Sequence, residues 1–200
     1  MCGIIGYIGK QGVAPILLNG LKRLEYRGYD SAGVATLGSD FHIKKDIGKV
    51  TEIHQNLNFL DVPGTLGIAH TRWATHGGVT KENSHPHLDC GEKIAVVHNG
   101  IIENFQELKR NLIKLGHKFR SQTDTEVLPH LIEEIMRKGK NFHDATASAL
   151  KVLEGSYAVL ILNRNERKLI AARKSSPLVL GVSDTGYFAA SDIPAFLEYT

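Results

Sequence analysis

The sequence predicts an α+β domain with antiparallel strands, and three observations support this fold class. Strand-like segments at both ends of the chain enclose a middle region whose apolar residues recur at helical spacing. Short polar turns join the strands of the last 45 residues, whereas a parallel crossover needs about a dozen residues or more. The hydrophobic (42%) and charged (22%) contents are those of an ordinary globular domain, so residues 1–200 are assigned to one domain.

In the first half of the chain, strands and helices are predicted in turn. The predicted strands are residues 2–9, the hairpin 31–37 and 41–46, and then 65–73 and 93–100, with helices over 13–27 and 49–57. The segment 74–92 between the last two strands is rich in Gly, His and Asn. It is long for a connection in a compact domain, which indicates a functional loop or lid.

The second half is predicted to hold three helices and five strands. A helix from Phe105 ends at Gly116, a short strand covers 117–121, a second helix follows Thr123, and a third covers 142–155. Thr123 and Glu126 form a T-x-x-E pattern typical of a capping box, which would place Asp124 near the positive end of the second helix. Strands at 156–163, 168–173, 177–182 and 186–191 follow, each expected to pair with the next.

Charge and hydropathy exclude several functional classes. The net charge is only +3 and the basic residues are scattered, so nucleic acid is not an expected partner. No apolar run approaches the ~20 residues of a membrane span, and no signal peptide is recognisable. A cytoplasmic protein is expected, in which Cys2 and Cys90 are free thiols.

Cofactor and metal sites are not expected either. The chain has ten histidines but no Cys-x-x-Cys or H-E-x-x-H pattern. The spaced glycines Gly3, Gly6 and Gly9 before Lys10 partly resemble a phosphate-binding loop. Ile4 stands where that motif, G-x-x-x-x-G-K, begins with glycine, so a nucleoside triphosphatase is not predicted.

Cys2 is the first candidate for chemistry. If Met1 is removed, the α-amine of Cys2, with a pKa of ~7.8 against ~10.4 for lysine, becomes a general base beside its own thiol. One water would relay the proton, since the direct path is too short for linear transfer. A buried cysteine at the start of a strand is the structural alternative, and position alone leaves both interpretations open.

Other polar residues lie where predicted strands and helices end. HTRWATHGG (70–78) contains Arg72, whose guanidinium suits a substrate carboxylate, together with Trp73, Thr75 and His76. VVHNG (96–100) ends in Asn99 and Gly100, which could donate to an oxyanion. Asp124 could accept a substrate ammonium. Taken one at a time, each has an ordinary structural explanation as an ion pair, core aromatic, turn or helix start.

Together these segments carry a resemblance. MCGIIGYIG, EYRGYDSAG (25–33), HTRWATHG, VVHNGIIEN and TDTEV occur in order, and the chain resembles the glutaminase domains of glutamine:fructose-6-phosphate amidotransferases. These are class II amidotransferases of the N-terminal-nucleophile (Ntn) hydrolase type. The resemblance implies a four-layer αββα sandwich, with two antiparallel sheets between helices.

The resemblance also implies roles for the candidate residues. It makes Cys2 the nucleophile that attacks the side-chain amide of L-glutamine, with Asn99 and the Gly100 N–H as oxyanion donors. Arg72 would grip the α-carboxylate beside Thr75 and His76, and Asp124 the α-ammonium. Trp73 would gate the passage of ammonia, and the loop that it begins would close as a lid.

Proteins of this family continue into sugar isomerase domains that take the ammonia to fructose 6-phosphate, and the full-length enzyme is expected to be a homo-oligomer. The chain is expected to be the glutaminase part alone, with no cofactor. Two alternatives stay open from sequence: another N-terminal-cysteine amidohydrolase, and a binding module in which Cys2 is merely buried.

Overall fold

The computed structural model describes residues 2–200 and has four layers. Two antiparallel sheets lie face to face, and helices cover the outer face of each. The predicted αββα sandwich is therefore confirmed. No helix among residues 2–200 is long and apolar enough to cross a bilayer. Cys2 and Cys90 are not joined by a disulfide, as predicted.

The first sheet has six strands in the order β3-β2-β4-β1-β10-β9, all antiparallel. Its strands are β1 (Gly3–Gly9), β2 (Ser31–Leu37), β3 (Phe41–Ile47), β4 (Leu66–Arg72), β9 (Val179–Ser183) and β10 (Gly186–Ala190). The first strand is thus central, and it forms ladders with β4 on one side and β10 on the other. Ile4, Ile5 and Tyr7 are fully buried, because this strand is covered on both faces.

The second sheet has four strands in the order β5-β6-β7-β8. Its strands are β5 (His87–Leu88), β6 (Ile94–Ile102), β7 (Gly155–Asn163) and β8 (Lys168–Lys174). The two-residue β5 lies inside the stretch that the sequence predicted as loop; its edge position and short length gave no alternating pattern to detect.

Helices α1 (Val13–Leu24) and α2 (Val50–Leu57) cover the first sheet, and α3 (Phe105–Lys114), α4 (Val127–Arg137) and α5 (Phe142–Val152) cover the second. Helix α1 is the main cover of the first sheet, because one face is almost continuously apolar and buried. Between the sheets lies a third apolar layer. It includes Ile4, Ile68, Val97, Leu160 and Leu162, whose side chains are all fully buried.

Two local predictions in the 117–126 region are wrong. Residues 117–121 form no strand, and α4 begins at Val127 with Glu126 as its N-cap residue and no side-chain cap. The Glu126 carboxylate instead accepts the backbone N–H groups of Arg120 and Ser121, both at 2.7 Å. The T-x-x-E pattern therefore stabilises a turn before the helix, and Asp124 lies in that turn.

The expected pairing of consecutive C-terminal strands fails at one step. Strand β7 pairs with β8 and β9 pairs with β10, but β8 and β9 lie in different sheets. The chain crosses between sheets around residues 175–178. A short link forbids a parallel neighbour in the same sheet, but it does not require the two strands to share a sheet.

Strand β6 contains a glycine in a conformation that other residues rarely adopt. Gly100 has a φ of 129°, and a Cβ there would overlap the carbonyl oxygen of Ser156 on β7. Gly116, after α3, also has a positive φ, 91°, but faces open space. Both glycines need a positive φ, but only Gly100 also lacks room for a side chain.

Gly116→Ala should therefore lower the free energy of unfolding by about 1–2 kcal/mol, from the positive φ alone. Gly100→Ala should lower it by about 1–3 kcal/mol more, because the added carbon also pushes β6 from β7. Urea denaturation of the two variants and the wild type measures the difference. Equal losses would mean that the sheet accommodates the extra carbon without strain.

Candidate active site

The register of the first sheet brings Cys2 to the end of β4. Gly3 lies opposite Thr71, so Cys2 lies beside the residues that follow Thr71. The Trp73 backbone N–H donates to the Cys2 sulfur at 3.2 Å, and the thiol donates to the Trp73 carbonyl oxygen at 3.4 Å. Both backbone polar groups of Trp73 thus hold the sulfur where β1 begins and β4 ends.

The Cys2 backbone is held as well. The Asn99 side-chain amide donates to the Cys2 carbonyl oxygen at 2.8 Å, and the Arg27 Nε donates to the same oxygen at 3.3 Å. Residues near a chain end are usually mobile unless they are tied down. Two donors from separate elements, one from β6 in the other sheet, therefore fix the position of this thiol.

Two pockets meet at Cys2. A small inner pocket of about 20 Å³ is lined by seven predicted site residues: Cys2, Arg72, Trp73, Thr75, His76, Gly100 and Asp124. A larger outer pocket of about 410 Å³ is lined by Asn99 together with Arg27, Ile101, Ser156 and Pro177. Cys2, Trp73, Thr75 and Gly100 border both. All eight predicted positions thus lie around one place in the fold.

Arg72 is buried at the end of β4, and its guanidinium is largely engaged. Its Nη2 donates to the carbonyl oxygens of His76 at 2.6 Å and Gly77 at 3.2 Å, and its Nη1 donates to that of Gly78 at 3.0 Å. A guanidinium has five N–H donors, so these bonds leave two for a ligand. In this state Arg72 anchors the loop that follows Trp73.

Asp124 is the buried anion of the inner pocket. Its carboxylate accepts the backbone N–H of Ile102 at 2.8 Å, which ties the turn before α4 to the end of β6. Arg72 and Asp124 line the same small pocket. The site thus presents one cation and one anion, which suits a ligand that carries both charges.

The loop residues beside them are more accessible. Trp73 is 46% exposed and its ring contacts Tyr29 edge-on, with 5.6 Å between the centroids. Thr75 is exposed, whereas His76 is partly buried and packs edge-on against Phe105. A half-exposed aromatic side chain beside the thiol can move without breaking the core.

The thiol itself rests in its neutral form. Burial raises the pKa of Cys2, and the Trp73 N–H only partly offsets this. A thiol with a raised pKa is protonated at neutral pH, and the thiolate is the nucleophile. Chemistry at this sulfur therefore needs a base.

Neutral histidines lie at the inner pocket: His85 and His98 line it, and His70 packs against His85. The Thr125 hydroxyl lies 2.9 Å from both His85 Nε2 and His98 Nδ1, and His98 O lies 3.0 Å from His70 Nε2. Burial lowers the pKa of all three imidazoles, that of His70 to about 3. They supply hydrogen bonds without adding charge.

Sequence reasoning assigned no role to several residues of the site. Besides Arg27, Asp30 contributes a carboxylate oxygen that accepts the Ala74 N–H at 2.9 Å, and Thr125 bridges the histidines. Arg27 and Asp30 both belong to EYRGYDSAG and Thr125 to TDTEV. The motifs were therefore the available signal, but individual roles depended on contacts that are distant in sequence.

Comparison with known proteins identifies the class. A model of the glutamine amidotransferase domain matches residues 70–198. Two relatives named glutamine--fructose-6-phosphate aminotransferase [isomerizing] match the whole chain: that of Pyrococcus horikoshii is 59% identical and that of Methanococcus maripaludis 54%. The chain spans only 34% of the length of each.

A solved structure agrees with this match. The glutamine phosphoribosylpyrophosphate amidotransferase of B. subtilis superposes with a TM-score of 0.85 and 32% identity, over 98% of this chain and 43% of that one. The fold is thus that of the Ntn amidotransferases. The family model covers well over half of the residues, and the chain belongs to the glutamine amidotransferase family.

Proposed function

We propose that this chain hydrolyses the side-chain amide of L-glutamine to glutamate and ammonia, with Cys2 as the nucleophile. The observation that supports this most is the convergence of a thiol, a buried cation, a buried anion and a side-chain amide on adjoining pockets. Glutamine requires one group of each kind.

Binding would use the charges of the inner pocket. Arg72 takes the α-carboxylate, with Thr75 and His76 beside it, and Asp124 takes the α-ammonium. The inner pocket measures only about 20 Å³, so we propose that the segment 73–79 moves outward to admit glutamine. The substrate carboxylate would replace the carbonyl oxygens of residues 76–78 as the partner of Arg72. Substrate binding would thereby be coupled to the motion of this lid.

Catalysis would begin with removal of Met1, which lies outside the described residues. The freed α-amine accepts the thiol proton through one water, and the sulfur attacks the amide carbon. The side-chain amide of Asn99 and the N–H of Gly100 stabilise the resulting oxyanion. Asn99 fits this role because its Nδ2 already lies on the Cys2 side of β6, bonded to the Cys2 carbonyl oxygen.

The intermediate then collapses. The protonated α-amine of Cys2 returns its proton to the leaving nitrogen, and the C–N bond breaks. Ammonia departs and leaves a thioester on Cys2. Water, deprotonated by the same amine, attacks the thioester carbon and releases glutamate with the thiol regenerated. A reducing compartment such as the cytoplasm would keep this thiol free.

We propose a fate for the ammonia in a longer protein of which this chain would be one domain. In the longer protein we propose that Trp73 gates ammonia from the inner to the outer pocket, and that sugar isomerase domains pass it to fructose 6-phosphate to form glucosamine 6-phosphate. The names of the full-length relatives support this acceptor. The same proposal includes two further points. Residues 1–200 form one glutaminase domain, and the longer protein is a homo-oligomer.

Cys2→Ala should abolish glutamate release from glutamine, because no other group at the site supplies a thiolate. Glutamate is measured on wild type and variant, and intact mass establishes whether Met1 has left. Equal release by both proteins would remove Cys2 from the role of nucleophile. An active wild type that retains Met1 would exclude the α-amine as base.

Asn99→Ala should lower kcat by roughly 10²-fold, or about 3 kcal/mol, with little change in KM, because an oxyanion donor acts mainly in the transition state. Asn56→Ala, at an exposed position of α2, is the matched control and should leave both constants unchanged. A rise in KM alone would make Asn99 a substrate-binding residue.

Two substrate analogues separate the charge contacts. 4-Aminobutanamide lacks the α-carboxylate and glutaramate lacks the α-ammonium, and each should lose roughly 10²-fold in kcat/KM with the wild type. The Arg72→Ala variant should no longer prefer glutamine to 4-aminobutanamide but should still prefer it to glutaramate. The Asp124→Asn variant should show the reverse pattern. Arg110→Ala, an exposed arginine of α3, serves as the control for Arg72.

Equal losses by Arg72→Ala for glutamine and both analogues would contradict the proposed carboxylate contact. That outcome would leave Arg72 as the anchor of the loop, the role in which its three hydrogen bonds to residues 76–78 already place it.

A further inference from the structure

A second cluster of reactive side chains lies away from Cys2. It consists of Cys90, His117, His130 and Glu133, called here the Cys90 cluster. Cys90 belongs to the β5–β6 connection, His117 follows α3, and the other two lie on α4. The imidazoles are buried, and none of the four residues lines either pocket at the active site.

One potential ligand atom from each residue points to a common centre. The two imidazole Nδ1 atoms are 3.3 Å apart, and they lie 3.8 Å and 3.5 Å from the Cys90 sulfur. The Glu133 Oε2 lies 3.2 Å from His117 Nδ1 and 3.7 Å from His130 Nδ1. All four atoms lie within 4.8 Å of one another.

The nitrogen–nitrogen and nitrogen–sulfur separations match those of a tetrahedral zinc centre. Bond lengths of ~2.05 Å to nitrogen and ~2.3 Å to sulfur separate two nitrogens by roughly 3.3 Å, and nitrogen from sulfur by roughly 3.5 Å. The observed distances lie within a few tenths of an ångström of both values.

Hydrogen bonding alone accounts poorly for the cluster. Each imidazole Nδ1 has a single direction in which it can donate or accept. Here each Nδ1 has three close neighbours: the sulfur, the other Nδ1 and the Glu133 carboxylate. At most one of those contacts can be a good hydrogen bond, whereas all four atoms can bind one ion between them.

The surroundings resemble the outer shell of a metal site. The Lys118 backbone N–H donates to the Cys90 sulfur at 3.4 Å, as expected for a thiolate ligand. The far nitrogen of His117 lies 3.4 Å from Glu134 Oε2, and that of His130 lies 3.7 Å from Glu126 Oε1. Carboxylates behind the imidazoles are typical of metal-binding histidines; here Glu134 is within hydrogen-bond distance of His117, and Glu126 lies slightly beyond it from His130. Glu133 Oε1 is held by Arg137 at 2.7 Å, and Oε2 accepts the Cys90 N–H at 3.1 Å, which leaves it a second lone pair for the centre.

We propose that the Cys90 cluster is a structural zinc site. One thiolate, two imidazoles and one carboxylate in tetrahedral arrangement form a ligand set that suits Zn²⁺, and four protein ligands leave no open position for catalysis. The sequence motifs predicted no metal, because the four ligands come from three segments and only His130 and Glu133 are close in sequence.

The ion would tie three segments together. It would join the β5–β6 connection to α4 and to residue 117, and so close the ends of the segment 117–130. That segment includes Asp124 and Thr125 at the inner pocket. The metal would therefore stabilise the turn that presents the site's anion, without contacting the substrate. The proposal does not depend on the chemistry proposed for Cys2.

The test is metal analysis and cobalt spectroscopy of the 200-residue chain. After chelation and reloading with zinc, the protein should hold about one zinc per chain. Cobalt should give the ligand-field bands of a tetrahedral centre with thiolate-to-cobalt charge transfer. The key sample is Cys2→Ser, because the chain has only two cysteines and Cys90 is then the sole source of thiolate. That variant also removes the N-terminal aminothiol as a competing zinc ligand.

Cys90→Ser and His130→Ala should weaken zinc binding roughly hundredfold or more, and Glu134→Ala, behind His117, by roughly 10- to 100-fold. The control His143→Ala, an exposed histidine of α5, should bind like the wild type. A chelator should lower the Tm of Cys2→Ser but not that of Cys90→Ser.

Absence of the thiolate-to-cobalt band in folded Cys2→Ser protein would overturn the proposal and leave a hydrogen-bonded cluster. Equal zinc affinity of Cys90→Ser and Cys2→Ser would overturn it as well. If Cys90→Ser does not fold, as circular dichroism would show, the Cys2→Ser cobalt spectrum alone decides, since it requires no change in the cluster.

Discussion

The position of β1 in the middle of the first sheet is the constraint on which the site depends. Its ladders with β4 and β10 hold the strand on both sides, and Ser191 adds two more hydrogen bonds to Ile4, at 3.1 Å and 2.9 Å. A central strand cannot slip by one residue without turning its buried side chains to the wrong face. The register with β4 therefore decides that Cys2 lies against Trp73.

Once Cys2 is placed, the second sheet completes the surroundings. Apolar packing between the sheets fixes β6 relative to β1, and Asn99 reaches the Cys2 carbonyl oxygen from there. The Gly100 conformation lets β6 pass close to β7 at the same point. The groups proposed to stabilise an oxyanion are thus held on a strand paired with β7, and those proposed to bind charge lie at strand ends and turns.

Burial controls which groups at the site are charged. The histidines at the inner pocket are neutral because burial lowers their pKa, and the thiol is neutral because burial raises its pKa. Arg72 and Asp124 remain as a cation and an anion, each held by backbone groups. The segment that follows α3 links this arrangement to the Cys90 cluster, since it begins at one ligand of that cluster and carries Asp124.

The sequence by itself determined the fold class, most elements and the identities of the groups at the site. Local spacing reveals buried faces, so α1, β1 and the C-terminal strands were predictable, and the ordered motifs identified Cys2, Arg72, Asn99 and Asp124. Only the tertiary structure decided what those groups contact. The use of Glu126 in a turn, the separation of β8 from β9, the engagement of Arg72 by loop carbonyls and the meeting of Cys90 with His117 all depend on partners distant in the chain. Periodicity describes which face of an element is buried, and it carries no information about which distant residues meet there.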